Sequence, residues 1–104
     1  MYTVTRQDVR PNLNVPFVTP ELINMTASFR LYLSTEHVDK FVNISSEMSP
    51  DGLTQTTTVI FSSKDAYFAF QHDSEVVTNL LNKHNEYNDA NGIVRTILSA
   101  VETL

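Results

Sequence analysis

The segment from Val38 to Ser62 predicts a β-hairpin and limits the possible folds of this chain more than any other stretch. Its centre reads Ser-Pro-Asp-Gly at 49–52. Proline is preset for the first central position of a type I turn, and glycine suits the point where the chain must adopt a positive φ. Such a turn, flanked by β-branched and apolar residues, closes a hairpin through a bulge.

The turn also sets the register of the two arms. If each residue of one arm pairs with the residue equally far from the turn in the other arm, Phe41 lies opposite Phe61 and Ile44 lies opposite Thr58. The tip of the hairpin is then polar, whereas its base carries apolar residues on both faces. A sheet with one face in water would show regular alternation, so this pattern predicts that both faces are covered near the base.

The first third of the chain predicts a strand, an irregular arm and a helix. Tyr2–Arg10 begins with β-branched and aromatic residues, which favour a strand. Pro11–Thr19 contains two prolines and is too irregular for a regular element, so we expect an arm or lid. Thr19-Pro20-Glu21 has the capping threonine, proline and acid of a helix start, and apolar spacing predicts a helix that ends near Ser34.

The second half predicts a helical region and a last strand. A serine cap precedes Lys64-Asp65-Ala66, and Asp73 resembles a second cap, so we expect a jog there before the helix stops at Asn91-Gly92. Ile93–Leu104 predicts a strand with two apolar faces. The order βαββαβ predicts one α+β, ferredoxin-like domain over 1–104, with a four-stranded antiparallel sheet.

The two helices of such a domain cover one face of the sheet and leave the other bare. Burying each large aliphatic side chain stabilises a fold by roughly 1.5–3 kcal/mol, so a bare apolar face would forfeit several such contributions. A second copy packed sheet against sheet is the simplest cover, and a twofold dimer is the commonest symmetry. We therefore expect a homodimer through the sheet face. The bare face is expected to include several of Val42, Ile44, Ile60, Val94 and Leu98, or their odd-numbered counterparts.

Charge and composition exclude several classes of partner and site. The net charge is −5 and the seven Lys and Arg residues are scattered, which argues against nucleic acid and anionic membranes as partners. The chain has no cysteine, so disulfides, thiolate zinc sites and cysteine nucleophiles are impossible. No apolar run approaches bilayer length, and strand-like sequence from Tyr2 leaves no room for a signal peptide. A cytoplasmic setting is the expectation.

The blocks at 19–21, 49–56 and 61–67 resemble small ferredoxin-like proteins of the dimeric α/β-barrel superfamily, closest to members from marine environmental and phage-like sequences. The better-known relatives are antibiotic-biosynthesis monooxygenase-like and muconolactone isomerase-like enzymes. The resemblance implies a small organic molecule held between the sheet and the helices of each subunit. It is a likeness of elements and turns and supplies no catalytic residues.

One histidine suggests chemistry at the second helix. His84 lies on its apolar stripe, and a functional interpretation makes it a general acid or base in a pocket. Tyr67, Phe70 and Tyr87 would line that pocket, and Arg95 would steer an anionic substrate. The alternative, favoured by the pattern, is a histidine at the edge of the core bonded to a backbone carbonyl.

The other polar clusters predict no site. His72 with Asp73 and Glu75 occupies adjacent turn positions that cannot converge on a metal, so no metal is expected. His37 is expected in an exposed turn. Nucleotide-binding, serine-hydrolase and zincin motifs are missing from the sequence, and no cofactor is expected.

Three functions remain open, of which the third is an accessory protein of a phage or its host whose apolar face meets a different protein. The first is a homodimeric ferredoxin-like module for protein interaction or small-ligand binding. The alternative is a cofactor-independent monooxygenase or isomerase acting on a small organic molecule. A cavity of a few hundred Å³ that reaches His84 would favour the alternative, and a filled core would oppose it.

Overall fold

A computed structural model describes residues 1–103 and contains one four-stranded antiparallel sheet in the strand order β2-β3-β1-β4. The strands are β1 (Tyr2–Val9), β2 (Phe41–Met48), β3 (Thr54–Phe61) and β4 (Val94–Glu102). This confirms the ferredoxin-like βαββαβ prediction. The end of the predicted last strand, Leu104, lies outside the described residues.

The helices lie between β1 and β2 and between β3 and β4. In the first half, α1 (Ala27–Tyr32) continues through a π-helical turn (Leu33–His37) into a 3-10 turn (Val38–Lys40). In the second half, the helices are α2 (Lys64–His72), α3 (Ser74–Val76) and α4 (Asn82–Asn91), with a π-helical turn (Val77–Leu81) before α4.

The predicted bounds of the first helix were wrong at both ends. Thr19 starts only a short turn, in which Met25 N–H donates to the Pro20 carbonyl at 2.9 Å. Asn24, at φ 54°, stops this turn from continuing. The helix begins after Thr26, whose hydroxyl accepts the Phe29 N–H at 3.1 Å, and the π-helical and 3-10 turns extend it past Ser34.

The caps predicted in the second half are confirmed. The Ser63 hydroxyl accepts the Ala66 N–H at 3.0 Å and starts α2. Asp73 Oδ1 accepts the Glu75 N–H at 2.8 Å and starts α3, so the helical region does jog there. Gly92, in the left-handed conformation at φ 70°, ends α4.

The hairpin turn is where the sequence places it, but the predicted register is off by one for most of β2. Ser49 N–H donates to the Thr54 carbonyl at 2.9 Å, so the loop closes one residue later than predicted. A bulge after Phe41 restores the predicted pairing of Phe41 with Phe61. Ile44 therefore lies opposite Val59, on the face that the helices cover.

The core lies between that face and the helices. It is centred on aromatic rings, with Phe41 and Phe70 packed edge to face at 5.0 Å between centroids and Phe61 beside both. The buried members of this cluster are Tyr2, Val4, Phe29, Phe61, Phe70 and Val76.

The opposite face of the sheet is more polar than predicted. Side chains that lie side by side across neighbouring strands form rows on this face, and the central rows carry mainly hydroxyl groups. Thr5 and Thr58, which are direct partners, are one example. Apolar side chains occur in the two outer rows, near the ends of the strands. Ile44, which was expected on this face, lies on the helix-covered face instead. The prediction of two apolar strand faces was therefore wrong for the middle of this surface. The apolar residues paired in the outer rows are Val9, Ile60, Val94 and Val101, and two more of the predicted apolar residues, Val42 and Leu98, are exposed at the bulges of β2 and β4.

His37 is buried, which corrects the expectation of an exposed turn. Its side chain is only 3% exposed, and its Nε2 lies 2.9 Å from Asp73 Oδ2. The same carboxylate oxygen accepts the Tyr32 hydroxyl at 2.5 Å. Asp73 therefore joins the end of α1 to the start of α3.

Candidate functional site

An open cavity of about 730 Å³ lies between the helix-covered face of the sheet and the helices. Val4, Val59 and Ile97 form the sheet wall, and Phe70 and Leu81 belong to the helical wall. Its lining is mostly apolar, and its size is that of a pocket for a small organic molecule. The space between sheet and helices is thus not a filled core.

A loop forms a further wall of the cavity. Val18 and Ile23 line it, and the arm leading to them is held at two points. Arg10 donates to the Gly52 carbonyl at 2.8 Å and to the Val15 carbonyl at 3.1 Å, and the Tyr87 hydroxyl donates to the Pro16 carbonyl at 2.6 Å. The stretch predicted to be an arm or lid is thus tied to the hairpin turn and to α4.

One part of the cavity wall is polar. Asp8 and Arg95 are direct partners on β1 and β4, and Arg95 Nε donates to Asp8 Oδ1 at 2.9 Å. The other side of the same guanidinium contacts His84, with Nη2 3.0 Å from His84 Nδ1 and also close to Nε2. His84 thus contacts a cation from β4 rather than the backbone carbonyl that the alternative interpretation expected.

The surroundings of His84 keep its ring neutral. Burial lowers its pKa to about 4, and the adjacent charges of Arg95 and Arg6 act in the same direction. A neutral imidazole has one acceptor nitrogen and one N–H donor. Because the same Arg95 nitrogen lies against both ring nitrogens, His84 can act as a base only if Arg95 moves away.

Arg6 is a site residue that the sequence interpretation missed. Its side chain lines the cavity and is 31% exposed, and its Nε lies 3.7 Å from Asp8 Oδ2. That nitrogen is buried and has no hydrogen-bond partner among residues 1–103. Alternation along β1 was the available signal, because it places Arg6 and Asp8 on the same face as the buried Tyr2 and Val4.

The structure brings together four of the five predicted site residues. Tyr67, Phe70, His84 and Arg95 all line the cavity. Tyr87 lies instead beside a separate surface cleft, where its hydroxyl holds the Pro16 carbonyl. The role proposed from the sequence for Tyr87 therefore has no support from its position.

The cluster around Asp73 is separate from the cavity lining. The hydrogen bond from Tyr32 and then that from His37 lower the pKa of Asp73 to about 2, and the same carboxylate raises the pKa of Tyr32 to about 12. Asp73 Oδ1 meanwhile caps α3. All the contacts of this carboxylate join helices, which indicates a structural role.

Residues 1–103 contain no group of three or more His, Asp or Glu side chains placed to hold a metal ion. None of their helices combines the length and the apolar character needed to cross a bilayer.

Neither a protein-family model nor a curated protein sequence matches this chain. Solved structures similar to it include Rv0793 from Mycobacterium tuberculosis, at 12% identity over 99% of this chain and 98% of that chain, with a TM-score of 0.50. Another is SnoaB, a cofactor-independent oxygenase from Streptomyces nogalater, at 12% identity over 99% of this chain and 95% of that chain, with a TM-score of 0.52. At these identities the likeness shows the fold alone, and it agrees with the four-stranded βαββαβ architecture described above.

Proposed function

We propose that this chain binds a small, mainly apolar organic molecule between its sheet and its helices. The observation that carries this proposal is the 730 Å³ cavity with one polar part of its wall. Tyr67 and Phe70 line it and offer flat apolar contacts, while the Arg95 guanidinium offers hydrogen-bond donors beside the polar ring of His84. A flat ligand with one polar group matches this division.

A second candidate is cofactor-independent oxygenation or isomerisation of such a molecule. It is favoured by the fold shared with SnoaB and by the guanidinium of Arg95 in the cavity wall, which would stabilise an anion formed on the substrate. In the oxygenase case an acidic CH₂ group and O₂ would give a ketone and water, with the substrate supplying all four electrons. Oxygen uptake with a flat ketone that carries an acidic CH₂ group would distinguish this reaction from binding alone.

We further propose that two copies pack through the open sheet face. The apolar outer rows of that face include Val94 and Val101, which are 64% and 52% exposed in the single chain. The hydroxyl rows between them can form hydrogen bonds with a second copy, while the outer rows exclude water. A twofold arrangement would satisfy both parts of the surface at once.

A matched pair of substitutions on β4 tests both proposals. Ile97 faces the cavity and Val101 faces away, and the two side chains are 54% and 52% exposed. We expect Ile97→Lys to weaken binding of the neutral fluorescent probe N-phenyl-1-naphthylamine about tenfold, because about 1.5 kcal/mol of apolar contact is lost. We expect Val101→Lys to keep that affinity and to convert the dimer to single 11.8-kDa chains.

Fluorescence titration measures the probe affinity, and light scattering after size exclusion measures the mass. Equal loss of probe affinity in the two variants, or no binding by the wild-type chain, contradicts the cavity proposal. A wild-type chain that stays single at the highest concentration at which it remains dissolved contradicts the dimer.

A further inference from the structure

We propose that the cavity selects organic anions and that Arg6 is the residue that selects them. This inference rests on the proposed ligand-binding function and adds the chemical class of the ligand. The expected ligand is a flat, mainly apolar molecule with a carboxylate, sulfonate or acidic hydroxyl group that reaches the sheet near Arg6.

The charge of the cavity wall differs from that of the whole chain. The chain carries a net charge of −5, yet the described residues that line the cavity include Arg6, Arg30 and Arg95 and no Asp or Glu. The carboxylate of Asp8 offsets part of the positive charge of these arginines. Asp8 is 4% exposed and does not line the cavity. A partly enclosed wall of one sign raises the local concentration of ions of the other sign.

Arg6 differs from the other arginines of the chain in its hydrogen bonding. Arg10 donates to two backbone carbonyls, Arg30 donates to Glu21, and Arg95 donates to Asp8 and contacts His84. The Nε of Arg6 is buried without any hydrogen-bond partner in the described chain, and its nearest carboxylate oxygen is 3.7 Å away. Two nitrogens of Arg95 are thus engaged, whereas Arg6, whose side chain lines the cavity and is 31% exposed, keeps its terminal nitrogens for a ligand.

The Nε of Arg6 is covered, so a ligand would meet the terminal nitrogens of this partly exposed side chain, and hydrogen bonds to a charged partner there are stabilising. A planar guanidinium offers a fork of donors that matches a carboxylate or sulfonate with two hydrogen bonds. The wall around Arg6 therefore provides donors and positive charge, which suits an anion better than a cation or a neutral amide.

Two probes that differ by one charged group test this selectivity. N-phenyl-1-naphthylamine is neutral, and 1-anilinonaphthalene-8-sulfonate has the same rings with a sulfonate. We expect the wild-type chain to bind the sulfonate about 10- to 100-fold more tightly, as hydrogen bonds to a charged partner allow. The ratio of the two affinities should fall to about one in Arg6→Gln, recover in part in Arg6→Lys, and stay at the wild-type value in Lys64→Gln, which removes a positive charge outside the cavity.

Each outcome of this comparison is informative. Equal affinities in the wild-type chain overturn the anion inference and leave the ligand-binding function standing, whereas failure to bind either probe overturns both. A wild-type preference that persists in Arg6→Gln assigns the selection to another residue and overturns the role of Arg6. Circular dichroism of each variant verifies the fold, and the wild-type ratio tests the selectivity even if Arg6→Gln does not fold.

Discussion

Replacing Asp8 with alanine is expected to lower the free energy of unfolding by about 3 kcal/mol, the low end of the cost of removing one partner from a buried ion pair. Its side chain is 6% exposed, and its two oxygens face Arg95 and Arg6 at 2.9 and 3.7 Å. Without Asp8, two neighbouring cations remain on one face of the sheet with no counter-charge. Partial exposure of both arginines to water keeps the expected loss from being larger.

Urea unfolding followed by circular dichroism measures this loss, with Asp89→Ala as the control because Asp89 is exposed on α4. We expect the control to change the free energy by no more than about 0.5 kcal/mol. Combining Asp8→Ala with Arg95→Gln should recover part of the loss, since one uncompensated charge is then removed. A loss below about 1 kcal/mol in Asp8→Ala would show that Asp8 does not hold this cluster together.

Replacing Asp73 with alanine is expected to cost about 2 kcal/mol of stability, because a helix cap and the partner of the buried His37 disappear together. Asp73→Asn keeps a capping oxygen and removes the charge, so it should cost less than Asp73→Ala. Urea unfolding of both variants measures the difference. Equal losses would assign the whole effect to the charge, and no loss in either would contradict the joining role of Asp73.

The pH dependence of this effect follows from the pKa of Asp73, which its hydrogen bonds from Tyr32 and His37 lower from 3.8 to about 2. A carboxylate with a lowered folded-state pKa stabilises the fold fully above its unfolded value. That contribution is lost as the pH falls through the folded value. The stability difference between the wild-type chain and Asp73→Asn should therefore be constant above about pH 4 and shrink between pH 4 and 2.

Local signals in the sequence predicted the element order and most element ends. The Ser63 and Asp73 caps, the turn at 49–52 and the Gly92 stop all depend on residues within a few positions of each other. The first helix was misplaced because Thr19 and Thr26 both have the chemistry of a cap. The loop between them packs as a wall of the cavity, and the helix begins only after Thr26. The spacing of residue types along the sequence does not show that packing.

The errors about single side chains arose from long-range contacts. His37 is buried because Asp73, thirty-six positions further along the chain, accepts its hydrogen bond. A one-residue change in loop closure moved Ile44 to the opposite face and left a more polar outer surface. His84 and Arg95 were identified from their residue types, but their mutual contact depends on how α4 packs over β4. Arg6 was overlooked because a charged residue within a strand suggests a solvent-facing side chain unless alternation is followed along the whole strand.

The most direct measurement is a crystal structure of the chain with 1-anilinonaphthalene-8-sulfonate bound. We expect the rings between the sheet and the helices, against Tyr67 and Phe70, with the sulfonate within hydrogen-bond distance of Arg6. A probe seated only on the open sheet face, or a sulfonate directed away from Arg6 toward solvent, would contradict the site proposed for this protein.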